Sequence, residues 1–140
     1  MRTVKMVYTT AVALSVAGAI LSIYLLDESR VLGSGFCEIS ERMSCLSVIR
    51  SRYSKFLEIP VAFYGLVWFI TSGVFSFSAL KLRRARLLLF VWSIAGMAGV
   101  LFLNYVELVL INAFCMYCGL AHALAASILG LSFLGWRAGV

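Results

Sequence analysis

Apolar positions along this 140-residue chain come in long blocks rather than in alternation. Met6–Leu26, Ile59–Leu80, Leu87–Val106 and Leu108–Trp136 contain no Asp, Glu, Lys or Arg. Each block reaches the roughly 20 residues that a helix needs to cross a hydrocarbon core. The pattern predicts spans over residues 7–26, 59–80, 87–110 and 113–136, with 27–58 outside the bilayer. Between the first two spans, "SCLSVIRSRYSKFL" (44–57) has Leu46, Ile49, Tyr53 and Phe56 at three- and four-residue steps. Arg50, Ser54 and Lys55 occupy much of the opposite face, as in a helix lying at an interface. A regular helix there turns Ser51 away from the apolar stripe. Pro60 suits the first turn of the next span, where a missing N–H costs nothing. The expected architecture is therefore all-α. It is an integral-membrane four-helix bundle in a single domain, 1–140, with an external loop and a short interfacial cap helix.

Composition agrees. Hydrophobic residues make up 63% of the chain and charged ones 13%, with a mean hydropathy of +1.02, too much apolar surface for a soluble domain of this length. The basic start (Arg2, Lys5) and small residues of the first block suggest a leader peptide. Its apolar run exceeds the roughly 7–15 residues of a signal core, so a retained anchor is expected. Repeats and low-complexity segments are absent.

Charge supplies orientation. Arg2, Lys5, Lys81, Arg83, Arg84, Arg86 and Arg137 fall on one side if the spans alternate, with no acid among them. Segment 27–58 balances its acids and bases. By the positive-inside rule both termini are cytoplasmic and 27–58 is extracytoplasmic. The host would be the cell membrane of a prokaryote or the endoplasmic reticulum of a eukaryote. The net charge of +6 reflects this asymmetry and implies no nucleic-acid partner.

The same alternation puts all four cysteines on the external side: Cys37 and Cys45 in the loop, Cys115 and Cys118 at the turn before the last span. Three explanations compete. A structural zinc site would use four thiolates, but Cys37 and Cys45 are further apart than the usual ligand spacing. Structural disulfides could pin the loop, although C-x-x-C closes only a tiny ring. A thiol–disulfide relay accounts for the position. With Asn112 as N-cap, Cys115 falls in the first turn of span 4, where amide donors and the helix dipole favour a thiolate. Cys115 would then meet thiols from the aqueous side. Cys118, on the same face, would point into the bundle toward a lipid-soluble electron carrier.

These residues resemble the vitamin K epoxide reductase family and its prokaryotic homologues. "CEISERMSC" (37–45), Ser51 six residues later and "CMYC" (115–118) at the last helix carry the likeness, over about residues 8–135. The resemblance implies that Cys118 reacts with a quinone and that Cys115 exchanges with Cys45. It implies too that Cys37 trades disulfides with a thioredoxin-like protein and that Ser51 serves the active site. Electrons would run from partner thiols to the quinone, supporting disulfide formation elsewhere. The quinone (ubiquinone, menaquinone or similar) would be the only co-substrate, with no metal or flavin, and the thioredoxin-like partner a separate chain. Some family members carry a tyrosine where His122 stands. In some animal members an asparagine near Val61 contacts the quinone, and its replacement by valine argues against vitamin K epoxide as substrate.

Other residues complete the expected site. His122 shares the face of Cys118 one turn deeper and could hydrogen-bond a quinone oxygen, or else join two helices. Val61, Phe63, Tyr64 and Trp68 could line a flat pocket, as could Phe114. Glu107 could relay protons or simply reach the headgroups. Ala95, Gly96, Ala98 and Gly99 read as close helix packing, and Gly33 and Gly35 as a flexible lead-in to Cys37. Three other readings stay open. One is a DsbB-type quinone oxidoreductase, disfavoured because its C-x-x-C lies early in the chain; the second is a non-enzymatic membrane scaffold with structural disulfides; the third is a small transporter, toward which only Glu107 points.

Overall fold

The computed structural model describes residues 2–28 and 42–139, with backbone alone for Glu28, Cys45 and Leu46. Gly33, Gly35 and Cys37 lie outside the described residues. Four long helices dominate: α1 (Arg2–Glu28), α3 (Val61–Ala79), α4 (Arg83–Tyr105) and α5 (Met116–Ala138). Between α1 and α3 come α2 (Cys45–Ile49), a 3₁₀ turn (Arg52–Ser54) and the strands β1 (Lys55–Phe56) and β2 (Ile59–Pro60). All four long helices have the length and hydropathy to cross a membrane, as the blocks required.

The helices close into a four-membered ring in which α1 and α4 each pack against α3 and α5. Packing follows the rule for helices in lipid: small residues are concentrated where helices meet, around a few large buried side chains. Ser15, Ser22, Ser72, Ser76, Ser93 and Ser132 are all buried. Each returns its hydroxyl to a carbonyl of its own helix, so none is left unpaired in an apolar setting. Gly18 and Gly135 make room for the rings of Phe69 and Tyr8, which join Leu89 and Ile128 in the core. Leu87, Leu88, Val91, Leu101, Phe102 and Leu108 remain exposed on the outer surface, where lipid would meet them.

Several boundaries shift for local reasons. Helix α1 starts at Arg2, because hydropathy marks the membrane-crossing part of a helix and not its polar extension. The expected cap helix is cut short after Ile49. Ser51 takes an extended conformation (φ −64°, ψ 157°), and its Oγ and N–H both donate to Val48 O, at 2.8 and 3.3 Å. The chain then turns through Leu57 and Glu58, both at positive φ, as a two-residue hairpin requires. Tyr64 Oη donates to Phe56 O at 3.1 Å and ties this hairpin to α3. Pro60 stands at the N-cap of α3, one residue before its first turn.

The largest departure is between α4 and α5. Helix α4 widens into a π-helical stretch, Val106–Ile111, that ends on Asn112 in the left-handed region (φ 55°, ψ 35°). Asn112 is therefore a C-cap, not the N-cap expected. Asparagine suits both positions, but here the wider π turn has used up the chain before it. The amides of Asn112 and Ala113 both donate to Glu107 O. Asn112→Val should lower stability by about 1–2 kcal/mol, the cost of a side chain in the left-handed region, whereas Asn112→Gly should be near neutral. Thermal unfolding in detergent checks this; equal melting temperatures for the two variants would refute it.

Candidate active site

With Asn112 closing the π turn, residues 113–115 carry no regular secondary structure and α5 begins at Met116 on a cysteine. Cys115 is its N-cap: φ and ψ are extended, and Sγ accepts the Cys118 N–H at 3.3 Å. The Tyr117 N–H and the Cys118 thiol also donate to this sulfur. The Cys118 thiol is free in this structure. The Cys118 hydrogen bond is the main cause holding the Cys115 thiol below the ordinary cysteine range. It outweighs burial and the nearby negative charge of Glu107, which push the other way.

Cys115 is fully buried, packed with Val48 of α2 and Ala113. The expected access from the aqueous side is thus closed here, because α2 lies over the start of α5. The loop joins the same end of the bundle: Phe114 N donates to Arg42 O at 2.7 Å, three residues before Cys45 and one before Cys115. This tether brings the backbone of Cys45 and the C-x-x-C pair to one end of the molecule. The Cys45 side chain lies outside the described residues.

Cys118 faces the opposite way. It lines a cavity of about 480 Å³ bounded by all four long helices and roofed by the segment from Val48 to Lys55. That volume is typical of small-molecule sites. Val61, Tyr64 and Trp68 line it from α3, and Ser51 from the roof. His122 lines it one turn below Cys118, its Nδ1 3.1 Å from Asn104 Oδ1. An amide oxygen on Nδ1 requires a proton there and leaves Nε2 as the second polar point of the ring. Phe63 and Phe114 do not line this space. Phe63 is turned outward, 44% exposed, and Phe114 packs on Gly119.

Two features were not anticipated. Ala95, Gly96 and Gly99 form a wall of the cavity, so the small-residue patch opens space as well as bringing helices together. The indole of Trp68 sits against Gly96, while nothing fills the side-chain direction of Gly99. The same stripe runs on through Leu103 to Val106 and Glu107, a continuity visible in the sequence once read as a cavity wall. Second, Glu107 is only 4% exposed. Its carboxylate accepts the Cys115 N–H and stands beside Cys115 Sγ as a second acceptor for the one proton of the Cys118 thiol, and Oε2 has no partner. A headgroup-facing role is excluded for this acid. Among the described residues, no three His, Cys, Asp or Glu side chains gather as a metal-ion cage.

The family model for the vitamin K epoxide reductase family matches residues 9–133. The chain belongs to that family. No curated protein matches the sequence. In general terms, the vitamin K epoxide reductase family links thiols to a quinone within a membrane, and this chain is a multi-pass membrane oxidoreductase of that kind.

The environment of Cys115 predicts its pH behaviour. In protein carrying Cys37→Ser and Cys45→Ser, alkylation of Cys115 should rise with pH around a midpoint below the ordinary thiol value of about 8.5. Adding Cys118→Ala removes the main donor to the thiolate and should move the midpoint up. Mass-spectrometric alkylation rates measure both; a midpoint unmoved by Cys118→Ala would contradict the assignment.

Proposed function

We propose that the protein oxidises thiols of a thioredoxin-like partner and passes the electrons to a quinone held beside Cys118. The observation that carries this reading is the split environment of the C-x-x-C pair. One sulfur is buried beneath the loop side, and the other opens on an apolar cavity inside the bundle. Cys37 receives the partner's electrons by disulfide exchange, Cys45 passes them to Cys115, and Cys118 delivers them to the ring. The quinone lies between Val61, Tyr64 and Trp68 on one side and His122 on the other, with His122 binding a ring oxygen and Ser51 lining the roof. Cys45 begins α2, the helix that covers Cys115, so the two members of this exchange belong to packed neighbours. The cysteines face the extracytoplasmic side and the basic helix ends the cytoplasm, in keeping with the distribution of charge.

Quinone reduction by the purified protein, driven by a reduced thioredoxin-like donor, tests the relay. Cys118→Ala and Cys115→Ala should abolish turnover. Cys37→Ala should block the protein-driven reaction and spare the reaction driven by small thiols. Turnover surviving in all three would remove the relay. Gly99→Leu places a side chain in open space at the cavity wall. It should leave thermal stability within about 1 kcal/mol and raise the KM for quinone by about tenfold or more, equivalent to about 1.4 kcal/mol of lost binding. An unchanged KM would move the quinone site elsewhere.

A further inference from the structure

The relay leaves one buried group without a task. Glu107 lies inside the π turn with 4% of its surface exposed. A carboxylate in such a setting is expensive unless it is paired or has work to do. Among the described residues no cation is its partner: the carboxylate meets the Cys115 N–H and the Cys118 thiol, while Oε2 is orphaned. The π turn is what aims it. Six residues, Val106–Ile111, are wound with the wider repeat, which turns Val106 and Glu107 inward beside the start of α5. A π turn of this kind often marks a functional position.

The chemistry at Cys118 requires a proton acceptor. A thiol adds to a quinone as the thiolate, but Cys118 lies in an apolar wall beside a second sulfur already rich in negative charge. Its proton must leave as the carbon–sulfur bond forms, and the carboxylate within hydrogen-bond reach of that proton belongs to Glu107. We propose that Glu107 is the catalytic base that takes the proton of Cys118 during attack on the quinone, and the acid that returns it to the reduced ring. This assignment rests on the thiol–quinone reading above.

The step balances. The Cys118 S–H bond breaks and its proton goes to Glu107. The sulfur bonds to a ring carbon, and an electron pair moves onto a quinone oxygen. The Cys115 thiolate then attacks Cys118 Sγ; the S–S bond forms, the S–C bond breaks, and its electron pair stays on the ring. The dithiol has lost two electrons and the quinone has gained two. One proton of the hydroquinone comes from Glu107. The other, which Cys115 released on ionising, is drawn from water. The other titratable groups around this acid are Cys115 and Cys118 at the start of α5, His122 further along it, Tyr64 of α3, and Tyr53 and Lys55 of the roof. Of these, Cys115 and Cys118 contact the carboxylate.

The test is single-turnover oxidation of the fully reduced protein by a short-chain soluble quinone over about pH 6–9, a range reaching the ordinary thiol pKa. Glu107→Gln keeps the volume and an acceptor for the Cys115 N–H but cannot take a proton. It should react about 10²–10⁴-fold more slowly than wild type near neutral pH, recovering about tenfold per pH unit as hydroxide replaces the missing base. Glu107→Asp, which keeps a carboxylate, should be slower than wild type with a shallow pH profile, and serves if the glutamine variant does not fold. A glutamine variant as fast as wild type, or slower by one constant factor at every pH, overturns the assignment alone. So does a steep profile for the aspartate variant. A wild-type protein that leaves the quinone unreduced overturns both the assignment and the function on which it depends.

Discussion

A hydrogen bond to sulfur at the start of α5 holds the working parts in register. The Cys118 amide and thiol both point at Cys115 Sγ, which is possible only because Cys115 stands outside the helix with extended backbone. That in turn requires the chain to leave α4 sharply, and Asn112 in its left-handed conformation makes the turn. The same two or three residues thereby fix a helix end, stabilise a thiolate and leave Cys118 facing the bundle interior. Shifting the start of α5 by one residue would rotate Cys118 by about 100° and take it off the cavity wall.

The cavity arises from what the helices lack. In lipid, helices gain little from burying apolar side chains against each other, so contact relies on small residues and close backbone approach. Serines and glycines supply that contact along α1, α3 and α5, where Gly18 of α1 and Gly135 of α5 receive the rings of Phe69 and Tyr8. On α4 the same kind of stripe finds no ring to fill it at Gly99, and a void opens at the level of Cys118. One compositional device closes the bundle at one level and opens it at another. Which outcome results depends on whether an aromatic residue stands opposite.

This explains which parts of the molecule were readable from the chain. Block length and charge placement gave the four helices, because crossing lipid imposes a length that few other constraints disturb. The cysteine spacing, with Ser51, led to the family, since that combination is rare by chance. What escaped was decided by backbone geometry. The π turn has no sequence signature, so Glu107 read equally well as a headgroup contact. Asn112 read as an N-cap because the left-handed C-cap accepts the same side chain. The cap helix looked regular to residue 57 because periodicity cannot register one extended residue at Ser51. Phe63 and Phe114 drew attention as flat aromatic rings, but one turns outward and the other is taken up by Gly119. The stripe of small residues on α4 was seen and assigned to packing. Periodicity reveals a face, not whether anything stands against it.

Most helices begin on an oxygen that never changes; α5 begins on a sulfur, which the proposed relay would oxidise and restore. When Cys115 enters a disulfide, its sulfur loses the negative charge that draws in the amides of the first turn, and that turn loosens. The turn that would weaken lies directly against Val48, at one end of the roof. Oxidation would then soften the seat of its own cover, making each change of bonding partner also a small mechanical signal.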